Sequence, residues 1–194
     1  AEPIAFDTFP GGEARSGYYL HEPLGVIAAI TPFNDPLNLV CHKLGPAFAA
    51  GNAVVLKPAE QAPLVAIMLA RLLLAAGLPD GALNLLTGRG RDFGDALTSH
   101  DDVAMVSFTG GASVGQAICR SAGIKRVAME LGGNGPVIVM DDADIEKATQ
   151  ACAAGAFGAA GQNCVGVQRI YVHDSAHDAF RDTLIAATSA LSSG

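Results

Sequence analysis

Charge is scarce in this sequence: Asp, Glu, Lys and Arg make up 16% of the 194 residues, and 12 basic against 19 acidic residues leave a formal net charge of −7. Without clustered Lys and Arg there is no electrostatic footprint for a phosphate backbone, which argues against nucleic acid as a partner. A long apolar run is also lacking. The longest, Leu64 to Ala76, is interrupted by Arg71 and falls short of the ~20 residues that span a bilayer. It predicts a buried helix and no membrane association. The N-terminus has no basic start, apolar stretch and small-residue cleavage site, so a cytoplasmic location is expected. The four cysteines, Cys41, Cys119, Cys152 and Cys164, show neither C-x-x-C spacing nor companion histidines. That pattern argues against a bound metal and a disulfide framework, and predicts reduced thiols. Internal repeats and low-complexity tracts are absent.

Half of the sequence is hydrophobic, enough for a substantial core. A mean hydropathy of +0.33 also suggests that part of the surface faces other protein. From Gly25 onward, short β-branched runs alternate with longer Ala/Leu-rich segments, the rhythm of a parallel sheet covered by helices on both faces. The expected class is α/β with a Rossmann-like sheet. Strands are expected near Gly25 to Pro32, Ala53 to Lys57, Ala82 to Thr87, Met105 to Thr109, Arg126 to Leu131, Val137 to Met140 and Arg169 to His173. Helices are expected near Leu37 to Ala50, Pro63 to Ala76, Arg91 to Ser99, Ser113 to Ala122, Ile145 to Gly158 and Ala176 to Ser192. Gly51, Gly77 and Gly123 stand where helices should stop. Residues 1–23 break the rhythm and read as an approach segment from a larger protein, with an extended Gly17 to His21.

Six short patterns carry candidate chemistry. Cys164, in Gly161-Gln162-Asn163-Cys164, sits among small residues on an open loop, where it could be a nucleophile or, more commonly for a single cysteine, a plain structural thiol. Glu130, in Met129-Glu130-Leu131-Gly132-Gly133, lies in an apolar strand. Burial there would raise a carboxylate's pKa and suit a general base; a salt-bridged strand end is the alternative. Phe108-Thr109-Gly110-Gly111 closes a strand and Ser113, Val114 and Gly115 open a helix, whose free N–H groups could receive a pyrophosphate. Glycine at such turns is also ordinary. Gly88-Arg89-Gly90 with Gly94 matches a dinucleotide fingerprint only loosely. Lys57-Pro58-Ala59-Glu60 and Thr31-Pro32-Phe33-Asn34 end two strands, where open α/β sheets bind ligands. Lys57 and Glu60 could reach ribose hydroxyls and the Asn34 amide could donate to an oxyanion; a solvated charge pair and a turn asparagine are the plainer readings.

Taken together and in this order, P-F-N, K-P-A-E, F-T-G-G-A-S-V-G, E-L-G-G and G-Q-N-C resemble the aldehyde dehydrogenase superfamily. The separations agree as well: 23 residues from Asn34 to Lys57, 51 from Lys57 to Phe108 and 34 from Glu130 to Cys164. The resemblance runs from about Tyr18 to the end and implies a partial, truncated member, with residues 24–133 as the NAD(P)-binding domain and 134–194 as the start of the cysteine-bearing catalytic domain. It implies that Cys164 attacks an aldehyde, that Asn34 and the Cys164 N–H hold the oxyanion, and that hydride passes to NAD, with NADP possible. Glu130 would then activate the water that hydrolyses the thioester. Cofactor contacts are implied for Pro32, Phe33, Lys57, Glu60, Phe108, Thr109, Gly110, Gly111, Val114, Gly115, Leu131 and Gly132. Two positions depart from many relatives, Gly111 in the place of Ser and Asn134 in the place of Lys. The alternatives are a CoA-acylating dehydrogenase, against which Glu130 speaks, and a catalytically silent module that only binds nucleotide. The full-length protein is expected to be a homo-oligomer acting on a small aldehyde, phosphonoacetaldehyde or lactaldehyde among the polar ones, and the 194 residues alone are expected to be inactive.

Overall fold

The computed structural model describes residues 1–192; residues 193–194, the end of the expected 134–194 segment, lie outside the described residues. The first residues do not form a lone approach strand. They make a two-stranded antiparallel ribbon of β1 (Glu2–Pro3) and β2 (Tyr18–Tyr19), closed by an edge-to-face contact of Phe6 and Phe9.

Five parallel strands follow: β3 (Val26–Ile30), β4 (Ala53–Lys57), β5 (Leu83–Leu85), β6 (Val103–Gly110) and β7 (Arg126–Leu131). They lie in the order β5-β4-β3-β6-β7. The connecting helices are α1 (Asn38–Ala49), α2 (Pro63–Ala75), α3 (Gly90–Ser99) and α4 (Ala112–Ala122). Alternation along each strand divides the core in two. Ile27, Ala29, Val54 and Leu56 pack under α1 and α2, while Ala28, Ile30, Val106 and Phe108 pack under α3 and α4. Both faces are covered, as the β-branched runs require. Strand order reverses between β3 and β6, so a crevice opens at their carboxyl ends, the place where such sheets receive ligands.

A second, parallel pair, β8 (Gly135–Val139) and β9 (Val167–Val172), is bridged by α5 (Ile145–Phe157). Val139, Cys152 and Phe180 form its core, the last of these on α6 (Asp174–Ser189). Asp144 caps α5 by accepting a hydrogen bond from the Lys147 N–H at 3.1 Å, complementing the helix dipole.

Expected and observed elements differ mainly at their ends. The strand expected from Met105 begins at Val103, the one expected from Ala82 is shortened to Leu83–Leu85, and α6 starts at Asp174 rather than Ala176. The apolar run from Leu64 to Ala76 is a helix but is not buried. Only Ala66 is fully enclosed, while Leu64, Met68 and Leu72, four residues apart, are 70%, 64% and 66% exposed. The one charged residue, Arg71, is exposed on the same side, seven positions from Leu64, but the apolar residues around it make that outward face read as core. Gly51, Gly77 and Gly123 do end their helices with φ of 77°, 93° and 62°, conformations glycine adopts without a Cβ penalty.

The polar side chain of Asn52 ties this core together. Its Oδ1 accepts from the N–H groups of Leu24 and Gly25, at 2.6 and 3.1 Å, and its Nδ2 donates to Ala47 O at 3.1 Å. Asn52 is 7% exposed, so removing its amide strands buried partners. Asn52→Ala is therefore expected to lower unfolding free energy by about 1–3 kcal/mol, as measured by urea unfolding. A change within about 0.5 kcal/mol, usual for a surface substitution, would show that the clamp is dispensable.

Candidate active site

The carboxyl ends of β3, β4, β6 and β7 bring most of the motif residues to one edge of the sheet. After β3 the chain passes Thr31, whose N–H donates to Lys57 O at 3.1 Å, then half-buried Pro32 and exposed Phe33. Asp35, at φ 45°, turns it into α1. The amide of Asn34 donates from Nδ2 to the carbonyl of Gln162 at 2.9 Å, across 128 positions of sequence. This bond joins the first sheet to the Cys164 loop. An amide nitrogen carries two hydrogens, so one N–H of Asn34 remains for a second acceptor.

On the α3 side of the crevice, Lys57 is buried, its Nζ donating to Pro58 O at 3.1 Å. Burial pushes its ammonium down from the usual lysine range, while nearby Glu60 pulls it up. Exposed Glu60 also bonds the backbone: its Oε1 accepts from the Gly90 N–H, at the start of α3, at 2.8 Å. A carboxylate at a helix N-terminus is favoured by the dipole and the unpaired N–H groups. This bond places the helix start at Gly90 rather than Arg91.

At α4, Gly111 is the N-cap and supplies no side-chain cap. The first intrahelical bond runs from Gly115 N to Gly111 O, so the N–H groups before it, Val114's among them, face outward unpaired. Phe108 belongs to this turn through its backbone. Its ring is buried where a Cβ on Gly110 would come within 2.5 Å of it, and it supports the turn from below. A Cβ on buried Gly115 would likewise lie 2.7 Å from Leu131 Cδ2, so Gly115 and Leu131 hold α4 against β7. Gly132 is exposed, with open space at its Cβ position. An uncapped helix start at the switch point, on a floor of glycine, fits the pyrophosphate of a dinucleotide.

Glu130 differs from expectation in its surroundings. Strand β7 is the sheet edge, and Glu130, registered with Thr109, is exposed rather than enclosed by apolar neighbours. Met129 and Leu131 pack toward α4, so Glu130 points to the opposite face, the one α1 covers. There it meets a residue that motif reading missed. Lys43 of α1 is half-buried and donates from Nζ to Ser107 Oγ at 3.0 Å. Burial pushes the Lys43 ammonium down to about 8, and the Glu130 carboxylate pulls the other way. A lysine directly before buried Leu44 in an apolar helix was the available signal.

The Lys43 shift sets a pH dependence with a definite sign. The unfolded lysine titrates near 10.5, so from about pH 8 to 10.5 the folded chain binds this proton more weakly than the unfolded one. The associated penalty is fully present below pH 8 and disappears as pH rises through that window. In urea unfolding, Lys43→Met should therefore gain most over wild type near pH 7, and the gain should shrink by pH 10. An equal gain at both pH values would contradict the shift.

Cys164 is exposed on the loop between α5 and β9, with Sγ 4.0 Å from Asn163 Oδ1. The loop follows a left-handed turn in which Ala159, Ala160 and Gly161 take φ of 53°, 55° and 72°. For the two alanines this costs roughly 1–2 kcal/mol each. Asn134 contributes its backbone carbonyl, which accepts from Arg169 Nε at 3.1 Å, a bond indifferent to whether Asn or Lys stands there. Among the described residues there is no group of His, Cys, Asp and Glu that could hold a metal ion, and no helix is long and apolar enough to cross a membrane. A cavity of about 480 Å³ lined by Val26, Val55, Phe93, Leu97 and Val103 contains none of the candidate residues. It lies under α3 and includes the first residues of β3 and β6, whereas the polar groups converge at the strands' carboxyl ends.

Fold and site thus define a Rossmann-like α/β unit with a cysteine loop docked at its switch point. The model of the aldehyde dehydrogenase family matches residues 1–194, and this chain belongs to that family. It is 53% identical over 190 residues to an aspartate-semialdehyde dehydrogenase of Pseudomonas canavaninivorans, covering 98% of this chain and 40% of the relative. A 3-sulfolactaldehyde dehydrogenase of Priestia aryabhattai is 50% identical over the same coverage of both chains. Among solved structures, the NADP complex of an NADP-dependent glyceraldehyde-3-phosphate dehydrogenase from Bacillus halodurans C-125 superimposes with a TM-score of 0.92 at 40% identity, covering 100% of this chain and 41% of that one. The chain therefore spans about two fifths of the length of these relatives.

Proposed function

We propose that the protein containing this chain oxidises an aldehyde to a carboxylic acid with NAD(P)+ through a thioester on Cys164. The observation that carries this reading is the Asn34 to Gln162 hydrogen bond, which holds an amide donor two residues from the cysteine. In this reading residues 24–133 are the cofactor domain and 134–194 begin the catalytic one. NAD(P)+, when bound, supplies the hydride acceptor. The free N–H groups at the start of α4, with the turn of Phe108, Thr109, Gly110 and Gly111 before it, would hold its phosphates. Pro32, Phe33, Lys57, Glu60, Leu131 and Gly132 would line its remaining path.

Cys164 Sγ bonds to the aldehyde carbon, giving a hemithioacetal. Its oxyanion is held by the second N–H of Asn34 and by the Cys164 N–H. Loss of hydride from that carbon leaves the thioester, and Glu130 takes a proton from the water that hydrolyses it, releasing acid and free Cys164. The relatives named above act on aldehydes that carry a carboxylate, sulfonate or phosphate, which supports a small aldehyde bearing an acidic group as substrate. A homo-oligomer in the cytoplasm is supported by the exposed apolar side chains and by three exposed free thiols, Cys41, Cys119 and Cys164. An aldehyde panel with the full-length protein, followed by NADH absorbance and product analysis with and without CoA, tests the reaction. Free acid in both cases is expected; an acyl-CoA product, or no cofactor reduction with any aldehyde, would overturn it.

Cofactor choice follows from Glu60. With one carboxylate oxygen on Gly90 N–H, the other can accept from a ribose 2′-hydroxyl and repels a 2′-phosphate. NAD is expected to give the higher kcat/KM, and Glu60→Ser is expected to narrow the gap. Equal values for both cofactors in wild type would remove Glu60 from this role.

A further inference from the structure

We infer that Gly133 is a positioning residue for Cys164, an inference that rests on the nucleophile reading above. The cysteine loop lies in a cradle of glycines drawn from separate parts of the chain. An ideal Cβ at Gly133 would stand 2.9 Å from Cys164 O, one at Gly135 2.6 Å from Gly166 O, and one at Gly155 2.8 Å from Val167 Cγ2. Gly166, within the loop, would meet Asn163 O at 3.1 Å. Gly133 is not among the glycines of positive φ, so its backbone accepts an L side chain. What excludes that side chain is the carbonyl of Cys164 itself.

A carbonyl cannot rotate away like a flexible side chain; relieving the clash moves the peptide that carries the nucleophile. On the other side the loop is pinned, because Gln162 O accepts from Asn34 Nδ2 at 2.9 Å. The two constraints bracket Cys164, so displacement at one changes the register between Sγ and the oxyanion donor. Restoring an ordinary contact from 2.9 Å requires a shift of about half an ångström. A misplacement of about 1 Å can cost ~10²-fold in rate, so about tenfold is expected here.

The test is Gly133→Ala in the full-length protein, beside wild type and Cys164→Ala. The expected result is a kcat about tenfold lower, cofactor Kd within about twofold of wild type, and an altered rate of iodoacetamide alkylation at Cys164. A lower Tm with kcat and alkylation unchanged would make Gly133 merely structural and overturn the inference. Should alanine at 133 prevent folding, Gly166→Ala, which meets the loop more gently, carries the same test: slowed turnover with intact cofactor binding supports the cradle, and unchanged turnover overturns it. Full activity of Cys164→Ala would instead sink the nucleophile reading, and this inference with it.

Discussion

Cys164→Ala in the full-length protein is expected to lose aldehyde oxidation by on the order of 10⁴-fold or more, with cofactor affinity unchanged. The expected loss is large because, in the proposed reaction, the thiol forms the bond that divides the oxidation into hydride loss and hydrolysis. Cys41 and Cys119 are exposed on helices and Cys152 is buried in the core beneath β8 and β9, with its thiol pushed up by that burial. Comparable turnover in the alanine variant would place the chemistry elsewhere. Cofactor binding that fails along with turnover would point to a collapsed loop instead, so the two quantities must be read together.

Glu130→Gln is expected to separate the two half-reactions. In the proposed reaction attack and hydride loss use Cys164 and Asn34, whereas hydrolysis uses a base, and general-base catalysis contributes about 10²–10⁴-fold. The variant should show one rapid turnover of NADH followed by a steady state slowed by about that factor. The exposed position of Glu130 on the edge strand leaves it open to water, consistent with activating one. Its proximity to Lys43 adds a second effect. Losing the carboxylate removes the attraction that raises the lysine's affinity for its proton, so Lys43 should titrate below about 8 in the variant. A normal steady-state rate without a burst would leave Glu130 a structural residue.

The sheet was legible because its strands are buried on both faces and therefore read as short β-branched runs, such as Ala53-Val54-Val55-Leu56, punctuated by glycine. What escaped was set by contacts distant in sequence. Glu60 fixes the start of α3 from 30 positions away, and the partner of β2 lies at the opposite end of the N-terminal ribbon. The exposure of Glu130 depends on β7 being an edge, which strand order decides and local sequence does not. Phe108 stands in the glycine turn pattern, and alternation sends its ring into the core, a placement the motif does not specify. The outward face of α2 is marked in the sequence only by Arg71, because its other residues, Leu64, Met68 and Leu72, are as apolar as the inward ones. Cys164 and Asn34 stand out in the sequence by their motifs, but only the fold shows that 128 residues of separation between Asn34 and Gln162 close to one hydrogen bond.

The most direct measurement is mass spectrometry of the full-length Glu130→Gln protein, quenched in acid during turnover with an aldehyde and NAD+. The account predicts a mass increase equal to the acyl group, carried by the peptide containing Cys164 and absent when cofactor is omitted. Reduced cofactor accumulating while that peptide stays unmodified, or an acyl group on another residue, would contradict it.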